Sequence, residues 1–215
     1  MNRILFLLSG LAVLAGCASA PATGPVPLAD DGTPCIADRD AYMDLDYWTF
    51  DQDAERGVRA VLDKPGCELA GADLIADFHA ALREKGEPVT YRLADKDVTF
   101  SDNGEVGILY WHEAQVRAFA GQTDRAIALF HKSIEADKSQ PASKRHYALA
   151  TIAFLEDNRQ ALLDERKALA AIVPDDDLNL GVVDGLIACF GRSYTAAYGA
   201  PECDRRPANR PALPG

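Results

Sequence analysis

The stretch that decides the fold is Glu105-Val106-Gly107-Ile108-Leu109-Tyr110-Trp111-His112-Glu113-Ala114-Gln115-Val116-Arg117-Ala118-Phe119-Ala120-Gly121-Gln122-Thr123-Asp124-Arg125-Ala126-Ile127-Ala128-Leu129-Phe130-His131-Lys132-Ser133-Ile134-Glu135-Ala136. Apolar residues recur every three or four positions on both sides of Gly121-Gln122-Thr123, which is the signature of two amphipathic helices, about 105–120 and 124–136. A connection this short makes them antiparallel neighbours. Working outward, the same spacing predicts helices at 141–155 and 158–172, with Asp137-Lys138-Ser139-Gln140-Pro141 and Glu156-Asp157 as breaks. A further helix begins near Leu178, after Pro174-Asp175-Asp176-Asp177, and ends at Gly191. Upstream, Ala54–Leu62 and Glu68–Lys85 carry helical spacing, closed by Pro65-Gly66 and Gly86. Residues 87–104 break the pattern: Val89, Tyr91 and Leu93 alternate, as do Val98 and Phe100, and Ser101-Asp102-Asn103-Gly104 is a turn signal. The fold class expected is all-α, antiparallel helical hairpins with capping helices and a short extended excursion near 87–104.

Tyr110-x-x-x-Ala114, then Gly121-x-x-x-x-Ala126-x-x-x-Phe130, resembles a tetratricopeptide repeat, in which small residues let the two helices of a hairpin approach closely. A weaker second copy places Ala148 34 residues after Ala114 and Ala161 35 after Ala126, so the likeness covers about residues 107–173. There are departures. Glu113 stands where leucine is usual, Arg117 where tyrosine is usual, Glu165 where Phe130 stood, and the closing proline arrives late at Pro141. An unrelated antiparallel bundle is the alternative. Two copies need neighbours to cover their apolar faces, and the helices at 54–85 and 178–191 are placed to do so. The resemblance implies a module that binds a protein or peptide.

The amino terminus reads as an export signal. Met1-Asn2-Arg3 is followed by an apolar run that is short for a permanent membrane span. It ends in Leu14-Ala15-Gly16-Cys17, which resembles the lipobox of bacterial lipoproteins. That resemblance implies cleavage before Cys17, a diacylglyceryl thioether on its sulfur, and a fatty acyl group such as palmitate on the new amino terminus. Ala18, rather than aspartate, follows the cysteine, which implies the periplasmic face of the outer membrane. Residues 18–34 are rich in Pro, Gly and small side chains and read as a tether. The organisation expected is a signal peptide at 1–16, a lipidated Cys17 and flexible tether through 34, one helical domain at 35–203, and a disordered tail at 204–215.

Charge supports this arrangement. With 33 acidic against 22 basic residues the chain carries −11, and cleavage of the leader removes Arg3 and no acid. An anionic bilayer repels such a chain, so lipid on Cys17 would have to hold it there, and nucleic acid, which demands clustered Lys and Arg, is excluded as a partner. Four cysteines remain: Cys35, Cys67, Cys189 and Cys203. An even number in an oxidising compartment points to two disulfides. Three connectivities are open; Cys35–Cys67 with Cys189–Cys203 is favoured because each bridge would pin a less regular terminal segment.

No catalytic signature is complete, and no catalytic residue, metal or cofactor is assigned. After His112-Glu113 the second histidine of a zinc protease motif is replaced by Val116, and Gly191-Arg192-Ser193-Tyr194-Thr195 lacks the second glycine of a nucleophile elbow. Asp38, Asp40, Asp44, Asp46, Asp51 and Asp53 read as a solvated acidic loop, although Asp44 and Asp46 could share one face of an extended segment and hold calcium. The constellation of most interest is Tyr110, Trp111, His112 and Arg117, where an exposed Trp beside Arg has the composition of an interface hot spot. It is the expected docking face for an envelope protein or peptide. Asp184, Arg192, Tyr194 and Tyr198 are candidates for a groove at the other end. The alternative function is an enzyme or small-ligand binder using a cleft around His112, Glu113 and Arg117.

Overall fold

The computed structural model describes residues 25–93, 95–138 and 140–207. The leader, the lipobox at 14–17 and the tail beyond 207 lie outside the described residues. The elements run α1 (Arg39–Met43), α2 (Tyr47–Gln52), α3 (Val58–Leu62), α4 (Glu68–Lys85), β1 (Val89–Leu93), β2 (Lys96–Ser101), α5 (Gly107–Phe119), α6 (Thr123–Ala136), α7 (Ala142–Leu155), α8 (Arg159–Ala170), α9 (Leu178–Ala188) and α10 (Tyr194–Gly199). The protein is therefore mainly helical with one small antiparallel sheet, as its periodicity predicts. Both expected disulfides are formed, Cys35–Cys67 and Cys189–Cys203.

The two central hairpins close in the same way. Beyond α5, Gly121 adopts φ +76°, its N–H bonds Ala118 O at 3.1 Å, and Gln122 N–H reaches back to Arg117 O at 2.8 Å. Beyond α7, Asp157 takes the same left-handed slot at φ 59°, with Asp157 N–H to Phe154 O at 3.1 Å and Asn158 N–H to Ala153 O at 2.8 Å. Each is a paired C-terminal cap that satisfies otherwise orphaned carbonyls and reverses the chain. Ala114, Ala126 and Ala148 are buried and Phe130 is fully enclosed, while Ala161 is only half-buried.

Helix α5 divides two apolar clusters. Leu109 and Val116 face the first, built from α2, α3 and α4, in which the rings of Phe50 and Phe78 stack at 3.7 Å between centroids. Tyr110, Ala114 and Ala118 face the second, built from α6 through α10. A helix covered on two sides must be apolar on two sides, and the sequence of α5 is.

Several segments differ from their sequence-based reading. The acidic stretch forms α1 and α2. Asp38 accepts from Ala41 N–H at 3.2 Å and Asp46 from Thr49 N–H at 3.0 Å, so these aspartates are N-caps. The reversal inside the extended excursion falls at Asp95, between β1 and β2, while Gly104, at φ +77°, makes the exit turn toward α5. Residues 27–34, expected as tether, are folded back on the body: Leu28 pairs with Pro34, Asp30 N–H bonds Pro65 O, and Ala29 is buried. At the other end, residues 203–206 cross α9 where Gly185 and Gly181 leave room. Among the described residues no helix is long and apolar enough to cross a membrane.

Candidate functional site

Successive helical residues turn by about 100°, so Tyr110, Trp111, His112 and Glu113 cannot share a face. Trp111 leans toward α6 and α7, its indole 4.7 Å from the Phe130 ring and 5.0 Å from Tyr147. His112 leans the other way, toward α2. Between them runs a half-buried stripe of α5, Ile108, Gln115 and Phe119, spaced i, i+7, i+11. The stripe is the floor of a trough. One wall carries Asp51, Arg59 and Leu62; the other carries Lys144, Tyr147, Asn179 and Tyr198, with Phe100 of β2 at one end.

The trough has two hollows. The first, about 170 Å³, has Phe100, Ile108, Trp111 and Tyr147 as its apolar lining and Gln140, Lys144 and Asn179 as polar members. The second is about 360 Å³, lined by Val58, Leu62, Ile75, Val116 and Phe119, with His112 and Asp51 beside Arg59. Apolar lining with a few placed polar groups is the usual make-up of a ligand or peptide site.

Asp51 is 1% exposed, and its Oδ1 lies 2.6 Å from Nδ1 of His112. Gln52 Nε2 donates to the other carboxylate oxygen, and Arg59 Nε donates to the Asp51 carbonyl at 2.9 Å. An ionised Asp51 accepts from Nδ1–H of His112, which leaves the imidazole Nε2 as an acceptor. Burial first, and the Asp51 charge second, hold the Tyr47 phenol well above its ordinary range.

Tyr110, Glu113 and Arg117 lie on the far side of α5. Arg117 is 1% exposed; its Nε donates to Glu113 Oε1 at 2.6 Å, Nη1 to Gln122 at 2.8 Å and Nη2 to Asp73 of α4 at 2.7 Å. The two departures from the repeat pattern thus pair with each other where α4 packs, and Arg125 of α6 adds a contact to Glu113 at 3.3 Å. Glu165, the third departure, holds His146 at 2.7 Å and ties α8 to α7. His112 and Glu113 therefore line different hollows and Arg117 lines neither, so the three do not share one cleft.

Of the residues suspected near the other end, only Tyr198 joins the trough. Arg192, held by Glu202 at 2.6 Å, and the buried Tyr194 line a separate hollow of about 380 Å³ with Thr123 and Phe154, while Asp184 is held by Arg166 at 2.7 Å and lines neither. Asp51 and Arg59 were missed. The available signal was the spacing Tyr47, Phe50, Asp51, which puts the one acid of this helix on its buried face. Among the described residues no cluster of three metal-ligating side chains occurs. No protein-family model, no curated protein and no solved structure matches this chain.

Proposed function

We propose that this chain is an outer-membrane lipoprotein, anchored through acylated Cys17 on the periplasmic face, whose helical-hairpin body binds a segment of another envelope protein in the trough along α5. The observation that carries the binding role is one face of α5, Ile108, Trp111, His112, Gln115 and Phe119, left half-buried while Leu109, Tyr110, Glu113, Ala114, Val116, Arg117 and Ala118 are buried. An extended peptide laid there would bury apolar side chains against Trp111 and Phe119 and meet polar groups at Lys144, Gln140 and Asn179. The tetratricopeptide-like pattern supports the same reading. Two disulfides suit an oxidising compartment, and the lipobox supplies the anchor.

Crosslinking in intact envelopes tests it. Wild type should capture one specific partner, and Lys144→Glu at the rim and Trp111→Ala on the floor should each lose it. Equal capture by all three would remove the trough from consideration. Cys17→Ala should release the chain from the membrane fraction, and retention there would refute the lipid anchor.

The buried Asp51–His112 pair favours a second reading, in which the wider hollow holds a small molecule. An imidazole oriented by a carboxylate presents one lone pair to a bound ligand or an attacking water. That reading requires fragments of envelope material to shift the His112 ring resonances without any protein partner.

A further inference from the structure

On the opposite side of α5 from the trough, helices α4, α5 and α6 line an open hollow of about 250 Å³. Its polar wall is made of His79, Arg83, Tyr110, Glu113, Arg125 and Lys132. Three of these are cations, in a chain whose net charge is −11. The only acid in the wall, Glu113, is already held by Arg117 at 2.6 Å and Arg125 at 3.3 Å. Arg83 meets Glu105 only at 3.8 Å.

Tyr110 is the hub. The His79 ring packs edge-on to it at 4.4 Å, the Arg83 guanidinium lies 5.5 Å from its centroid and Lys132 Nζ 5.6 Å. Arg83 also donates to the Tyr110 hydroxyl. Cation–π contact keeps two positive charges close together beside one ring.

His79 completes the arrangement. Its side chain is 1% exposed, and Nε2 accepts the Val106 N–H at 2.9 Å. A ring that accepts through Nε2 carries its hydrogen on Nδ1. That Nδ1–H has no partner among the described residues, and the ring forms part of the cavity wall. Burial first, then Arg83 and Lys132, push its pKa down to about 3, so the imidazole stays neutral and remains a donor beside the cations.

We propose that this hollow is a binding site for a phosphate group, with Arg83, Arg125 and Lys132 supplying charge and His79 Nδ1–H a neutral donor. The donors come from two helices, His79 and Arg83 from α4 and Arg125 and Lys132 from α6. That suits a tetrahedral oxyanion, which accepts in every direction, better than a planar carboxylate, which accepts along one edge. The site does not depend on the trough or on the peptide-binding reading.

Calorimetry with inorganic phosphate tests it, on the full chain carrying Cys17→Ser so that no attached lipid contributes. Wild type should bind, and the His79 Nδ1–H resonance should shift on addition. Lys132→Gln, an exposed position on α6, should weaken binding about tenfold, the worth of one charge-assisted hydrogen bond, with helicity unchanged. Arg192→Gln, remote from the hollow, should bind as wild type. Vesicles containing phosphatidic acid separate the sources: binding to them that Lys132→Gln abolishes identifies a lipid headgroup, and binding to phosphate but not to vesicles identifies a soluble phosphate ester. No heat and no His79 shift with phosphate, or equal affinity in Lys132→Gln, would overturn the proposal.

Discussion

Asp51 and His112 stand 61 residues apart in the chain and 2.6 Å apart in the fold. The contact joins α2 to α5 and sets one wall of the trough against its floor. The two partners are unequal: the His112 side chain is 22% exposed and Asp51 1%. Removing the imidazole strands a buried carboxylate, whereas removing the negative charge leaves a histidine that water can still reach. His112→Ala should therefore cost about 3 kcal/mol and Asp51→Asn clearly less, because asparagine still accepts from Nδ1–H. Urea unfolding of the two variants checks the order; equal losses would mean that the charge itself does not matter.

How much of this was legible in the sequence depended on whether the relevant contact was local. The hairpins were readable because helix periodicity and a left-handed turn residue are encoded within a few positions. Gly121 announced its turn, whereas Asp157 did the same job without being glycine, and only the short gap between apolar runs revealed it. The disulfides were readable because few cysteines were available to pair. Asp51 was not readable as a buried acid, since five similar aspartates surround it and its partner lies in another helix. Trp111 stood out by composition, but its neighbours Phe130 and Tyr147 lie on other helices, and helix rotation alone could not say which side of α5 each would cover. Helix spacing puts Arg117 on the inward face with Tyr110 and Ala114, but a charged residue there ordinarily snorkels out. Its burial depends on Glu113 one turn earlier and on Asp73, 44 residues away.

The carboxyl-terminal segment is held by absent side chains. A Cβ on Gly185 would sit 2.7 Å from Cys203 O, and one on Gly181 would sit 2.7 Å from the Arg206 Cα. Both obstacles are backbone, so neither can turn aside. Gly185→Ala should destabilise by about 1–2 kcal/mol despite alanine's better helix propensity, because overpacking outweighs it. Gly199→Ala, with nothing within 4 Å, should be neutral or stabilising. Thermal unfolding of the pair separates close approach from propensity.

The two bridges should contribute independently. Cys35–Cys67 spans 32 residues and Cys189–Cys203 spans 14. Chain-entropy arguments assign them about 4 and about 3 kcal/mol. They lie in different apolar clusters, so the losses from Cys35→Ala with Cys67→Ala and from Cys189→Ala with Cys203→Ala should add. Denaturant unfolding of the quadruple variant measures the sum, and a marked excess over it would show that the two halves support one another through α5.

Stability should also fall in mild acid, and His79 is the reason. Its folded pKa is pushed down to about 3 against an ordinary 6.5, chiefly by burial. Between those values the unfolded chain binds a proton that the folded chain refuses, so protonation favours unfolding. The contribution is whole above pH 6.5 and diminishes as pH falls toward 3, at about 1.4 kcal/mol per pH unit. From pH 7 to pH 5 that amounts to about 2 kcal/mol. Asp31, Asp46, Asp53 and Glu202, whose pKa values are lowered by hydrogen bonds from neighbouring groups, also lose stability in acid. Their losses begin below about pH 4.5, outside this window. His79→Gln offers Val106 N–H an amide oxygen in place of Nε2 and does not titrate. Its stability should change less between pH 7 and 5 than that of wild type, by about 2 kcal/mol, in urea titrations buffered without phosphate. His112 and His146 are present in both chains and cancel. Parallel pH profiles would show that His79 is protonated in the folded protein, and its Nε2 could not then accept from Val106.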